Sequence, residues 1–302
     1  MTKPWTVQDI PPQTGKRIII TGANSGIGWH TALELARAGA EVTISARSQE
    51  KAEGAAARIR AQVPQAHIKM GVMDLANFAS VRAFTEREMV DPRPVDVLVN
   101  NAGIMALPRR EVSKDGFEMQ FATNVLGPFL LTGLLMQRIL SASAPRVVNV
   151  SSYAHTIGGP VPVEDLNSEQ GYKPVRAYAK TKLENILLTR ELQRRAGGRL
   201  VVTTCHPGAS HTNLAVNTTL GMKLTTWLLT PIMQNAAGGA EPTLMAATWP
   251  EAKPGGYYGP GGLWGLRGHP VETRTALFAD DREAGHRLFS ELEQMTGISY
   301  EL

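Results

Sequence analysis

The sequence predicts an α/β fold, with residues 1–302 forming one domain around a doubly wound parallel sheet that carries helices on both faces. Three observations predict it. Apolar, β-branched runs recur along the chain, and most are continuously apolar, as in strands buried on both faces. Helical patterns alternate with them, which implies right-handed crossovers and parallel pairing. A glycine-rich turn, "TGANSGIG" (21–28), lies between the first such run and the first helical pattern.

The elements follow in order. Residues 1–14 are polar and proline-rich, an arm laid over the domain with Trp5 as its anchor. Strands are expected at 16–21, 41–46, 67–73, 95–100, 146–151 and 199–205. Helices are expected in "IGWHTALELARAGA" (27–40), "SVRAFTEREMV" (80–90) and "FEMQFATNVLGPFLLTGLLMQRIL" (117–140). Within the last, Pro128 has no N–H to bond the carbonyl of Asn124 four residues earlier, and Gly127 adds flexibility. A kink that frees this carbonyl is expected there. The stretch 251–268 reads as loop, with "GYYG" as a short edge strand. Residues 279–297 read as a terminal helix, with acids at its start and Gly297 after its end.

Composition narrows the function. The chain is 43% hydrophobic and 19% charged, with a net charge of only +4 despite a pI near 9.2. Its cations are scattered, which argues against a nucleic-acid partner and fits an anionic small ligand. The single cysteine, Cys205, excludes an intramolecular disulfide and reads as a small buried strand residue. That fits a reducing compartment, and a cytoplasmic protein is expected. No run of about 18 consecutive apolar residues occurs, so no transmembrane helix is expected.

The glycine turn points to a dinucleotide. Gly22, Gly26 and Gly28, with Asn24, Ser25 and Ile27 between them, let the backbone approach a pyrophosphate at a helix N-terminus. A phosphate loop would need Gly-Lys-Ser/Thr, which is absent from this turn. Tyr178 and Lys182 in "YAKTK" are one helical turn apart and share a helix face. A nearby cation is expected to lower the phenol pKa from about 10, making it a usable proton donor and acceptor.

The sequence resembles the short-chain dehydrogenase/reductase family, in its retinol dehydrogenase-like and protochlorophyllide reductase-like branch. The resemblance rests on "TGANSGIG", "NNAG" (100–103), Asn124 in "NVLGPF", "VNVSS" (148–152), "YAKTK" and "HPGASHT" (206–212). It implies a Rossmann-type fold and a catalytic tetrad of Asn124, Ser152, Tyr178 and Lys182, with Ser151 as the competing serine. Tyr178 would donate or accept the proton, Ser152 would hold the carbonyl oxygen, and Lys182 would hold the nicotinamide ribose. The resemblance also implies cofactor contacts from Asp74, Leu75, Asn101, Ala102, Gly103, Pro207, Gly208 and Thr212. Asp74 doubles as an N-cap for the next helix. A substrate lid is implied over 209–236, where Leu214, Met222 and Trp227 would face a lipophilic substrate. Pro128 departs from the family's more usual His.

Cofactor choice turns on the end of the second strand. Ala46 stands where an NAD-binding chain would carry an acid for the ribose hydroxyls, and Arg47 follows. A guanidinium pairs with a 2′-phosphate, so NADP(H) is favoured over NAD(H). The expected function is hydride transfer to or from an alcohol or carbonyl carbon. The alternative is a non-catalytic dinucleotide-sensing protein of the same fold. A sugar-nucleotide epimerase would need T-G-x-x-G-x-x-G. His155, His206 and His211 lack metal-ligand spacing, so no metal is expected. A homo-oligomer, dimer or tetramer, is compatible with the resemblance.

Overall fold

The computed structural model describes residues 3–210 and 233–302. In β1 (Arg17–Ile20), Ile18 and Ile20 join the core on one face, Ile19 joins the core on the other, and all three are fully buried. Such a strand needs helices on both sides, and the chain supplies them in alternation. After β1 come α1 (Gly26–Arg37), β2 (Glu41–Ala46), α2 (Gln49–Gln62), β3 (His67–Val72), α3 (Phe78–Met89) and β4 (Val97–Asn100). Then follow α4 (Met119–Leu140), β5 (Arg146–Val150), α5 (Pro174–Ala196) and β6 (Val201–Cys205). Last among the described elements come α6 (Ala236–Thr248), β7 (Tyr257–Gly262), β8 (Arg267–Glu272) and α7 (Arg282–Thr296).

The sheet order is β3-β2-β1-β4-β5-β6-β7-β8, parallel throughout except for the antiparallel β7–β8 pair. The winding reverses between β1 and β4. A crevice therefore opens beyond the carboxyl ends of these strands, the usual ligand position in such sheets. One face packs on α3, α4, α5 and α7, and the other on α1, α2 and α6. Trp5 is buried in the second core, which fastens the N-terminal arm as expected.

Three local expectations change. "GYYG" begins β7, which is interior; the sheet edge is β8. The β8 sequence "RGHPVE" is mostly exposed and contains Pro270, so it lacks the apolar signal of a buried strand. Asp74 does not cap α3: Asn77 does, accepting from the Ser80 amide at 3.3 Å, while Asp74 Oδ1 accepts from the Ala76 amide at 3.1 Å. In α4 the kink is a π turn over Ala122–Leu126, where the Gly127 amide bonds the Ala122 carbonyl. Gly127 is there for room rather than flexibility, because a Cβ would overlap the Leu75 carbonyl. The 22-residue α4 is long enough, and an 18-residue window of it apolar enough (mean hydropathy 1.3), to match a membrane span, yet 78% of that window is buried in this fold.

Candidate active site

The glycine turn is built for close approach. Gly22 has φ +65°, and a Cβ there would lie 2.9 Å from the Cα of Ala102. A Cβ on Gly28 would lie 2.8 Å from the Gly22 carbonyl and would overlap the Asn101 amide. Thr21 staples the turn to the end of β4: its hydroxyl accepts from the Asn101 and Ala102 amides, both at 3.0 Å. Ser25 precedes α1 without spending its hydroxyl on a cap, so the first amides of α1 stay open to an anion. Residues 22–28 thus fit a dinucleotide pyrophosphate: their cradle is one that side chains would fill. Thr21 escaped the sequence reading, although it sits directly before Gly22 in the same motif.

The carboxyl end of β2 lies beside this turn, since the Ala23 amide bonds the Ser45 carbonyl at 3.2 Å. Ala46 is buried and Arg47 is exposed just beyond it. Asp74 is exposed and Leu75 buried at the end of the neighbouring strand. Arg58 also reaches the turn: it donates to the Asn24 carbonyl at 2.6 Å and lies over the Trp29 ring at 5.0 Å.

Beyond β4, Gly103 brings the main chain against the inner site. A Cβ there would be 3.1 Å from Asn124 Oδ1 and 3.5 Å from Lys182 Nζ. Asn124 is buried in the π turn, with Oδ1 accepting from the Ile104 amide at 2.9 Å and Nδ2 donating to Thr181 Oγ1 at 3.1 Å. The kinked helix is thereby tied to both the β4 loop and α5.

Ser152 ends β5 and caps the short 3-10 turn Tyr153–Thr156, accepting from the Ala154 amide at 3.2 Å. Its neighbour Ser151 is buried and locked, donating to the Lys182 carbonyl at 2.6 Å. Tyr178 and Lys182 share one face of α5, both buried. Burial pushes the Tyr178 phenol up to about 12, against a weaker downward pull from its hydrogen bond with Ser152. Burial also pushes the Lys182 ammonium down to about 8. The expected lowering of the phenol by Lys182 is absent. Lys182 Nζ donates to the Val150 carbonyl at 2.9 Å and faces the tyrosine ring rather than its hydroxyl, and desolvation dominates both groups.

Pro207 and Gly208 follow β6 at the same end of the sheet. Gly208 has φ +64°, and a Cβ would overlap the Leu266 carbonyl. Gln234 closes this turn, donating to the Pro207 carbonyl at 2.8 Å. Thr212, Leu214, Met222 and Trp227, with His211, lie outside the described residues, as does most of the expected 209–236 lid. Among the described residues no group of three metal-ligating side chains occurs. His155 and His206 instead flank Tyr257. Cys205 is buried beside Thr243 and pushed up to about 12, the inert strand residue expected.

The sequence profile of the short chain dehydrogenase family matches residues 16–223. The chain belongs to the short chain dehydrogenase family. It is 37% identical to retinol dehydrogenase 13 of Homo sapiens over 292 residues, covering 94% of this chain and 85% of that protein. An uncharacterized protein from Mycobacterium paratuberculosis has a crystal structure similar to this fold: TM-score 0.82, 37% identity, 99% of this chain and 100% of that one. An NAD(P) dependent gluconate 5-dehydrogenase from Beutenbergia cavernae, with bound NADP at low occupancy, gives a TM-score of 0.63 at 27% identity. That match covers 79% of this chain and 92% of that one. As a short chain dehydrogenase, this protein is a dinucleotide-dependent oxidoreductase acting on CH–OH or C=O groups of a small molecule.

Proposed function

We propose that this short chain dehydrogenase uses NADP(H) and acts on a lipophilic alcohol or carbonyl compound through Asn124, Ser152, Tyr178 and Lys182. The observation that carries the cofactor choice is the end of β2, where Ala46 leaves no acid and Arg47 stands exposed beside the glycine turn. A guanidinium forms charge-assisted bonds with a 2′-phosphate, and no carboxylate there repels it. The bound NADP of the Beutenbergia cavernae structure supports the same reading.

When bound, the nicotinamide supplies or accepts the hydride. The protein's own groups manage the proton and the oxygen. The Ser152 hydroxyl accepts from the Ala154 amide and hydrogen-bonds the Tyr178 phenol, which holds it beside Tyr178, where its O–H can turn to a substrate oxygen. Tyr178, a phenol near neutral pH, gives its proton to the oxygen during reduction and takes one during oxidation. Lys182 holds the nicotinamide ribose, and Asn124 keeps the β4 loop against Lys182. Retinol, named by the relatives, is the first alcohol to assay, with retinal for the reverse direction.

The test is turnover of a panel of apolar aldehydes, ketones and alcohols, retinol and retinal included, with NADPH, NADH and their oxidised forms. The proposal expects kcat/KM to favour the phosphorylated cofactor and to rise with substrate apolarity. Preference for NADH, or turnover confined to polar substrates, contradicts it.

A further inference from the structure

His155 lies three residues after Ser152, is buried, and is not used in the chemistry above. Its two ring nitrogens are engaged in opposite senses. The Ala276 amide donates to Nε2 at 3.1 Å. A backbone amide can only donate, so Nε2 carries a bare lone pair. Nδ1 lies 2.8 Å from the Ser152 carbonyl, which can only accept and which also takes the His155 backbone N–H at 3.1 Å, so Nδ1 carries the proton and adds a second bond to that carbonyl. Both bonds demand the same neutral tautomer. Protonating Nε2 would set an N–H against the Ala276 N–H.

The surroundings hold this state. The Tyr257 hydroxyl is 3.3 Å from Nδ1, and its ring meets His155 edge-on at 5.2 Å. On the other side His206 stacks on Tyr257 at 5.2 Å, its Nδ1 accepting from the Gly208 amide at 3.3 Å. A row of rings therefore runs from the serine turn to the Pro207–Gly208 turn. Arg190 of α5 is the cation that acts on His155, and it opposes a second positive charge.

We propose that His155 is a positioning residue for Ser152: its Nδ1–H joins its own backbone N–H in holding the serine carbonyl, and its Nε2 ties that serine to the segment before α7. The proposal rests on the catalytic reading of Ser152. With its carbonyl held, Ser152 keeps the cap geometry of the Tyr153–Thr156 turn and aims its hydroxyl at the substrate oxygen. Small displacements of such a group cost large factors in rate.

The test joins a spectroscopic and a kinetic readout. In protein labelled with 15N-histidine, two-bond 1H–15N correlation at neutral pH is expected to show His155 protonated on Nδ1 and bare on Nε2. The opposite tautomer, or an imidazolium, overturns the proposal. This readout does not depend on turnover, so it separates failure here from failure of the proposed reaction. In kinetics, His155→Phe is expected to lower kcat about tenfold or more at unchanged NADPH affinity. His155→Asn, whose amide still reaches the serine carbonyl, is expected to recover most of that loss. Wild-type kcat in the Phe variant, or equal loss in both variants, overturns the proposal. If the Phe variant does not fold, Ala276→Pro removes the N–H donor and sets the ring Cδ toward Nε2 in its place, at a residue whose φ of −61° suits proline. Mixed tautomers and a lowered kcat are then expected, and no change in either overturns the proposal.

Discussion

Lys182 Nζ sits 5.5 Å from the centre of the Tyr178 ring and spends a proton on the Val150 carbonyl at 2.9 Å. The pair is sealed from water, so burial raises the phenol to about 12 and lowers the ammonium to about 8. In the proposed reduction Tyr178 is the acid, and with its pKa pushed up to about 12 it stays protonated across the working range. The alkaline limb of the reductive kcat/KM profile is therefore expected near pH 8, where Lys182 loses its charge. Oxidation needs the phenolate, so its rate is expected to rise with pH. A reductive rate that is flat well beyond pH 8 would remove Lys182 from the profile.

Lys182→Ala removes a charge and, with it, the proposed ribose contact. It is expected to raise the NADPH dissociation constant as well as lower kcat. Fluorescence titration checks this, and unchanged affinity would deny the ribose contact.

Ala46→Asp with Arg47→Leu is expected to shift preference toward NADH. The aspartate accepts the ribose hydroxyls and repels a 2′-phosphate, while one charge-assisted bond, about 1.5–3 kcal/mol, is lost. The ratio of kcat/KM values with NADPH and NADH reads the shift. An unchanged ratio places the phosphate contact elsewhere, and Arg58 at the Asn24 carbonyl becomes the next residue to replace.

Gly22→Ala forces a side chain to φ +65° and to within 2.9 Å of Ala102. Strain of this kind costs about 1–3 kcal/mol. Weaker cofactor binding and a lower Tm are expected together, by titration and thermal melting. Full NADPH affinity in this variant would show that the turn does not need the close approach.

Glu184 is fully buried, both carboxylate oxygens lack a hydrogen-bond partner among the described residues, and burial raises it from 4.5 to about 7. The folded state holds this proton more tightly than the unfolded chain. Its stabilisation is therefore fully present below about pH 4.5 and lost as pH rises through about 7. Compared with Glu184→Gln, the wild type is expected to lose up to about 3 kcal/mol over that interval. Urea unfolding of both proteins at pH 5 and pH 8 measures it, and a difference independent of pH refutes it.

The parallel core was legible because its strands are buried on both faces and so read as unbroken apolar runs. β8 was not, because an exposed edge strand with Pro270 carries no such run. The break in α4 near Asn124 was legible from Pro128, but its form as a π turn was not, and the need for Gly127 comes from the approach of Leu75, which is distant in sequence. The grouping of Ser152, Tyr178 and Lys182 was legible from spacing and resemblance. Their protonation was misjudged, because helical spacing reports a shared face but not the depth of burial. The His155 bridge depends on Ala276, 121 residues away, and nothing in the local sequence reveals it.

The most direct test of the account is Tyr178→Phe, assayed for NADPH binding and for turnover of a carbonyl substrate that the wild type reduces. Replacing a buried phenol by a ring of the same shape leaves the fold and the cofactor cradle intact. The account predicts unchanged NADPH affinity and a fall in kcat of about a hundredfold or more, the scale of a lost general acid. Turnover near the wild-type rate would contradict it.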